Sequence, residues 1–365
     1  MKRKHLIPLL CLLLVCTAIV SLIVLHAQSD ASIRIVRVED DGSLILSCTG
    51  SEFLALGYDY GDIVSVTLRD HSYTMPVCAQ FADVDEGALI CRVTRPYVTL
   101  AIRSGIFHAH DPRLRKGDKV SFAMLEKAGY LSEYRRRELI RTYDRADYPQ
   151  LTDAQYANYR SVEMHGIGAG TLYRSSSPID PDISRDTFAL AAMEQSGVKT
   201  VLNLSDTRAE AENLSSYAGS YYAQQAVIFL GMSVNFASDE FCQGLAEGLR
   251  WIAAHDGPYL LHCHEGKDRT GFAAAVLGCL AGASIDEITA DYMLSYVDYF
   301  GVEPGTAQYA DIAEANIIRQ LTEAFGVDPR TADVQAEAIR YLHAIGLTDQ
   351  ALDALRENLA RSWTN

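Results

Sequence analysis

The chain has 365 residues, enough for two folded domains once a leading apolar segment is set aside. With 47 acidic residues against 32 Lys and Arg, its formal charge is −15, a soluble surface that excludes non-specific nucleic-acid binding and repels polyanions at long range. Of its 8 cysteines, Cys11 and Cys16 fall in the leading segment, and Cys48, Cys78, Cys91, Cys242, Cys263 and Cys279 are too scattered for a disulfide framework.

The chain opens on Lys2-Arg3-Lys4-His5, followed by an almost unbroken apolar run over residues 6–25. This pattern predicts export, with the basic flank left in the cytoplasm and the remainder outside. About twenty apolar residues is long for a signal core and just enough to span a bilayer. Residues 1–27 are therefore either a cleaved signal peptide or a retained signal anchor. The expected location is secreted, or extracytoplasmic and membrane-anchored through residues 6–25. Cleavage would remove Lys2, Arg3 and Lys4 and take the charge from −15 to −18.

Residues 32–125 carry short β patterns: Ile33–Val38, Leu44–Ser47, Ile63–Leu68, Tyr97–Ile102 and Lys119–Phe122. Turn signals at Asp41-Gly42, Tyr60-Gly61-Asp62, Asp85-Glu86-Gly87 and Lys116-Gly117-Asp118 separate them, which predicts a small all-β barrel or sandwich. Residues 126–157 read as a charged helical connector. Arg135, Arg136, Arg137, Arg141 and Arg145 lie among Glu133, Glu138 and Asp144. Such a stretch is either a solvated helix with i,i+4 pairs or a basic rim that guides phosphorylated substrates. Residues 158–365 alternate strands with helices. The strands are expected at Thr200–Leu204, Ala226–Leu230 and Tyr259–His262. The helices are expected at Arg185–Ser196, Asp239–Ala254, Thr270–Ala281, Ile285–Ser295, Asp311–Phe325, Thr331–Ala344 and Asp349–Ala360. This order implies an α/β domain with a parallel-type central sheet, flanking helices and its site at the strand C-terminal ends. The last three helices read as cover for the sheet.

The chemistry concentrates in His262-Cys263-His264-Glu265-Gly266-Lys267-Asp268-Arg269-Thr270-Gly271, between a buried strand and an apolar helix. A strand–loop–helix order points loop amides and a helix N-terminus at one place, which suits a phosphate dianion and a thiolate nucleophile at Cys263. Arg269 offers a planar fork for two phosphate oxygens. Gly266 lets the backbone curl inward. Thr270 offers a hydroxyl to the sulfur. The implied reaction is attack of Cys263 on phosphorus, then hydrolysis of the phosphocysteine, with loop amides and Arg269 carrying the charge in place of a metal or other cofactor. A zinc site at His262, Cys263 and His264 is disfavoured, because neighbours on a strand face opposite ways. A nucleotide P-loop is excluded. Leu261 stands where its first Gly belongs, and Asp268 replaces the Ser or Thr that would hold magnesium.

The His-Cys-x5-Arg-Thr loop resembles that of the cysteine-dependent phosphatases. Its Gly-Lys-Asp-Arg-Thr-Gly form resembles the bacterial secreted tyrosine/lipid phosphatases of the mycobacterial protein-tyrosine-phosphatase-B type. Asn158-Tyr159-Arg160, Gly170-Thr171-Leu172-Tyr173-Arg174-Ser175, Gly197 to Leu204 and Asp291-Tyr292-Met293-Leu294-Ser295 are similar to further motifs of that family, in order. The resemblance implies catalytic Cys263, Arg269 and Asp268. His264, Glu265, Gly266, Lys267 and Thr270 would bind phosphate. The substrate would be a phosphorylated protein or an inositol-containing phosphate. Separately, Gly61-Asp62-Ile63-Val64 and Lys116-Gly117-Asp118-Lys119 resemble the C-terminal β-domain of S-adenosylmethionine hydroxide adenosyltransferases. No adenosyl chemistry follows, since those enzymes also need their other domain.

The leaving group needs a proton, and a carboxylic acid near the loop supplies one. Asp268 is the first candidate. The family's strand Asp is replaced by Asn203, which cannot protonate a leaving group. Asp206 follows three residues later, and Asp239 opens the helix before the catalytic strand, where an N-cap role competes. Loop lysines in this superfamily go with phosphoinositide turnover, so Lys267 is expected to bind a second phosphate. Phosphotyrosine, phosphoinositides and soluble inositol phosphates all stay open. The competing function is a phospholigand-binding protein on a catalytically weak or dead phosphatase fold, motivated by Asn203 and the added β-domain.

Overall fold

The computed structural model describes residues 33–139 and 142–363. The expected export or anchor segment at residues 6–25 lies outside them. Among the described residues no helix is long and apolar enough to cross a membrane. The chain divides into two compact units between residues 139 and 140.

The first unit contains strands β1 (Ile35–Val38), β2 (Leu44–Leu46), β3 (Ile63–Leu68), β4 (His71–Cys78), β5 (Leu89–Val93), β6 (Val98–Ile102) and β7 (Val120–Glu126). Helix α1 (Gly50–Ala55) follows β2, and α2 (Leu131–Arg137) follows β7. The sheet runs β1-β2-β6-β5-β4-β3-β7, antiparallel except between β4 and β5. The Ile35 N–H donates to the Asp118 carbonyl at 3.0 Å, and the Val120 N–H to that of Ile33 at 3.0 Å. These bonds join the two edge strands, so the sheet closes into a small barrel with no free edge there. Alternation on β3 buries Val64, Val66 and Leu68, and Phe53 of α1 stacks on Tyr58 beside Phe122 to fill the interior. Thr49 and Glu52 form a capping box that starts α1.

The expected connector over 126–157 is not one helix. It includes the end of β7, helix α2, a 3-10 turn at Arg145–Asp147 and the single turn α3 (Asp153–Tyr156). Its arginines are largely paired. Arg136 and Arg137 bond Glu133, Arg137 also bonds Asp85 at 2.7 Å, and Arg145 bonds Asp153 at 3.0 Å. This is the solvated, self-paired arrangement, with Arg136 at i,i+3 and Arg137 at i,i+4 from Glu133.

The second unit is α/β. Its strands β8 (Arg160–Ser161), β9 (Leu172–Ser175), β10 (Thr200–Asn203), β11 (Ala226–Phe229) and β12 (Tyr259–His262) form a sheet in the order β11-β10-β12-β9-β8. Every pair is parallel except the edge pair β8 and β9. The helices are α4 (Asp186–Gln195), α5 (Arg208–Asn213), α6 (Asp239–Ala254), α7 (Asp268–Ala281), α8 (Ile285–Phe300), α9 (Ala307–Ala313), α10 (Arg319–Phe325), α11 (Val334–Ala344) and α12 (Asp349–Ala360). All four residues of β12 are buried, as is every residue of α7 from Thr270 to Leu280. A helix buried all round must be sheathed by other helices. Helices α8 and α11 pack against α7, and α12 packs against α6 and α7. The C-terminal helices expected to cover the sheet therefore form a layer on its helices. The helix expected over 311–325 is α9 and α10 joined by a π-helical turn at Glu314–Ile318. The three expected strands and four of the other helices fall within a residue or two of expectation, while α8 runs on to Phe300 and α11 starts three residues late, at Val334.

Candidate active site

The loop between β12 and α7 sits at the C-terminal end of the sheet's central strand. Helix α7 starts at Asp268, two residues before the expected Thr270, so Asp268 and Arg269 belong to its first turn. No side chain caps this helix, which leaves its N-terminal amides for an anion.

Four successive carbonyls of the loop, those of residues 264–267, are held by groups outside it. The Ser177 N–H donates to the His264 carbonyl at 3.1 Å. Asn158 Nδ2 and the Tyr299 hydroxyl donate to that of Glu265 at 3.0 and 2.8 Å. Arg174 Nη2 donates to those of Gly266 and Lys267 at 2.8 and 3.2 Å. In a planar trans peptide the N–H points opposite to the C=O. With four consecutive carbonyls turned outward, the N–H groups of residues 265–268 are turned inward. Gly266 permits this with φ of +70°, and a Cβ there would lie 2.1 Å from the Ser175 carbonyl oxygen.

The outer support is a buried charge cluster. Arg174 is fully buried and bonds Asp291 of α8, which also receives Arg160 Nε at 3.2 Å. Arg160 further bonds Asn158 Oδ1, and the Ser295 hydroxyl donates to the same oxygen at 3.1 Å. Asn158 itself takes a left-handed φ of +53°, which Asn tolerates better than most residues. Five residues of the family motifs, Asn158, Arg160, Arg174, Asp291 and Ser295, thus share one task, the shape of the loop. Sequence reasoning gave them no role, because the contacts join β8, β9 and α8 across long sequence separations.

Cys263 lies at the base of a cavity of 240 Å³, 3 % exposed. His264, Glu265, Asp268 and Arg269 line it with Cys263, and Tyr143 and Val234 complete it. Arg269 Nη1 donates to the Met232 carbonyl at 2.7 Å, while its Nε is buried with no hydrogen-bond partner among the described residues. His264 Nδ1 meets Asp180 at 3.0 Å. Thr270 departs from expectation. Its buried hydroxyl makes no hydrogen bond among the described residues, so the expected bond to the Cys263 sulfur is not formed. The early start of α7 puts Thr270 inside the first turn at a fully buried position.

Lys267 is also placed differently. Its ammonium bonds Asp268 at 2.9 and 3.0 Å, lies 3.8 Å from Glu265 and sits 5.1 Å from the Tyr296 ring centroid. It does not line the cavity. Burial opposes its charge, but Asp268, Tyr296 and Glu265 outweigh burial and hold its pKa above the usual lysine value. A lysine so engaged ties the loop to Tyr296 of α8.

Of the three acid candidates, only Asp268 lines the cavity, together with Glu265. Asp206 is occupied by Asn203 Nδ2 at 2.8 Å and the Ser205 hydroxyl at 3.2 Å. Asp239 is exposed, and the residue that caps α6 is Ser238, one position earlier than expected. Asn203 has a structural task. Its Nδ2 donates to the Tyr222 hydroxyl at 3.2 Å, which lies 2.7 Å from His262 Nε2. With one lone pair taken by Asn203, the Tyr222 hydroxyl is free to donate to Nε2, an arrangement that places the ring proton on Nδ1. Nδ1 faces the Cys263 backbone without reaching normal hydrogen-bond geometry. Burial pushes the His262 pKa down to about 3, so the ring is neutral. The described cysteines form no disulfide.

Residues 155–361 match the tyrosine phosphatase family, and the chain belongs to that family. No curated protein matches it. Among solved structures, a Cys-to-Ser variant of P. aeruginosa TpbA in complex with pTyr is similar at 21% identity, covering 50% of this chain and 94% of that one, with a TM-score of 0.30. The core catalytic domain of the S. cerevisiae PP-IP phosphatase SIW14, in complex with citrate, is similar at 21% identity over 45% of this chain and 90% of that one, with a TM-score of 0.29. An uncharacterized conserved protein from Thermotoga maritima shares 24% identity over 25% of this chain, with a TM-score of 0.23, and the chain spans 35% of its length. None of these likenesses is close enough to define a substrate.

Proposed function

We propose that this protein is a phosphomonoesterase that works through a phosphocysteine. The observation that carries the reading is the loop itself: outward-held carbonyls, inward amides, Cys263 at the cavity base and Arg269 on its wall. The Cys263 thiolate attacks phosphorus as the ester P–O bond breaks, and the leaving oxygen takes a proton from Asp268. Water then attacks phosphorus, the P–S bond breaks, and Asp268 takes a proton back. Inward amides and Arg269 hold the equatorial oxygens in both steps. The loop and the ordered motifs from Asn158 to Ser295 support the secreted tyrosine/lipid phosphatase type of the mycobacterial protein-tyrosine-phosphatase-B kind.

Within that type, the cavity favours a single phosphate on an apolar group such as phosphotyrosine. Arg269 is the one Lys or Arg among its described lining residues, and the loop's other cation, Lys267, is engaged by Asp268 and Glu265. Asn203, which with the added β-domain motivates the dead-enzyme reading, is accounted for by its bonds to Tyr222 and Asp206. The test is Cys263→Ser assayed on phosphotyrosine peptides. Turnover should vanish while inorganic phosphate still binds. Retention of wild-type turnover would reject the mechanism.

A further inference from the structure

The two cavity residues that do not come from the loop are Tyr143 and Val234. Tyr143 is 36 % exposed and Val234 62 % exposed, so each presents uncovered apolar surface at the mouth of the site. Tyr143 precedes the segment that matches the family, residues 155–361, so the family domain does not supply it.

Its backbone is nevertheless fixed. The Tyr156 hydroxyl donates to the Tyr143 carbonyl at 2.6 Å, and the Tyr148 hydroxyl is 2.9 Å from the Thr142 carbonyl and 3.0 Å from that of Tyr299. These tyrosines surround one fully buried cation. The Arg185 guanidinium lies 3.9 Å from the Tyr299 ring centroid, 4.1 Å from that of Tyr156 and 5.2 Å from that of Tyr148. Among the described residues Arg185 Nε and Nη2 have no hydrogen-bond partner, so ring faces offset much of the cost of burying the charge. From the same cluster Tyr299 donates to the Glu265 carbonyl at 2.8 Å. One aromatic cage therefore holds both the phosphate loop and the segment carrying Tyr143.

We propose that Tyr143, together with Val234, is a specificity-determining wall for the leaving group, selecting phosphate esters of phenols over those of aliphatic alcohols. This rests on the phosphatase reading of the site. A phosphate seated over Cys263 directs its ester substituent toward the cavity mouth. A phenyl ring there gains contact with the Tyr143 ring, while a short aliphatic substituent leaves the wall uncovered.

The test compares phosphotyrosine and phosphoserine peptides of one flanking sequence on the full chain. Tyr143→Ala should lower the ratio of their specificity constants about tenfold, mostly through KM for phosphotyrosine. Tyr143→Phe should keep the ratio, because the ring and not the hydroxyl forms the wall. Tyr143→Leu should fall between the two, and serves if the alanine variant folds poorly. An unchanged ratio in Tyr143→Ala and Tyr143→Leu, or an equal loss in Tyr143→Phe, would overturn the proposal. Absence of wild-type turnover on both peptides would instead sink the phosphatase reading beneath it.

Discussion

Replacing Asp291 by Asn tests the clamp that shapes the phosphate loop. Asp291 is the shared partner of Arg174, which is fully buried, and Arg160, whose side chain is 13% exposed. Asn has the same size, but it is neutral and its NH2 group must face one of the two donors. Two guanidinium charges then lie buried without their counter-ion, which costs about 3–5 kcal/mol. Arg174 also holds the Gly266 and Lys267 carbonyls, so its relaxation turns loop amides away from the phosphate. A displacement of about 1 Å at such a site lowers turnover roughly 10²-fold. Urea unfolding reads the first effect, and kcat/KM on a phosphotyrosine peptide reads the second. The pH dependence adds a third reading. Burial alone would raise the Asp291 carboxyl, but Arg174 and Arg160 outweigh it and hold the pKa below 3.8. Its folded pKa is depressed, so its contribution is complete above about pH 4 and fades as pH falls through the folded value. Asn does not titrate, so the gap between wild type and variant should narrow in that acid range. A loss under about 1 kcal/mol at neutral pH, or a gap that stays constant into strong acid, would refute the reasoning.

His262 should give the wild type a second acid sensitivity. Its folded pKa of about 3 lies below the model-compound 6.5, so the unfolded chain takes the proton first. Stability should therefore fall as pH drops from about 6.5 toward 3, by roughly 1.4 kcal/mol per pH unit. Denaturant unfolding of His262→Asn between pH 7 and 4 should show a flatter slope, and equal slopes would contradict the burial of a neutral ring. Lys267→Ala should depress turnover of phosphotyrosine and of polyphosphorylated inositol alike, on the order of tenfold, because it loosens the loop. A loss confined to the polyphosphate in parallel assays would return Lys267 to the role of second-phosphate ligand.

What the sequence made legible was local. The β12–loop–α7 unit could be read because an apolar strand, a Gly and an apolar helix follow one another within twenty-odd residues, Tyr259 to Ala281. Strand β3 could be read from its apolar alternation, but its partner β4 could not. Its first residues, His71 to Thr74, are polar, Pro76 interrupts it, and the turn before it places Arg69 rather than Gly at φ +52°. Strand β9 reads only as a motif, since Arg174 and Ser175 do not look like core. They are buried because Asp291 of a distant helix accepts the arginine. The partners of Lys267 escape a local reading for the same reason. Tyr296, nearly thirty residues on in α8, and Asp268 decide where its ammonium rests. Nothing near Tyr143 marks it as an active-site residue, because three tyrosines and Arg185 place it there from elsewhere in the fold.

A chain with a formal charge of −15 has to attract a dianion, and the site shows how. Acidic groups around the loop are compensated where they stand: Asp268 and Glu265 by Lys267, and Asp180 by His264 when that ring is protonated. The attraction then comes from groups that carry no net surface charge, the inward amides and the first turn of α7, with Arg269 beside them. Such dipoles act over a few ångströms. The general repulsion is screened over about 8 Å at physiological ionic strength, so it slows approach without opposing the bound phosphate. The same arrangement limits what else can bind. One phosphate fills the field of the loop, and beyond it the cavity offers two carboxylates and an apolar rim. The proposed preference for a monophosphate over a polyanion thus follows from how the loop is charged, and the proposed wall of Tyr143 and Val234 adds the choice of carrier.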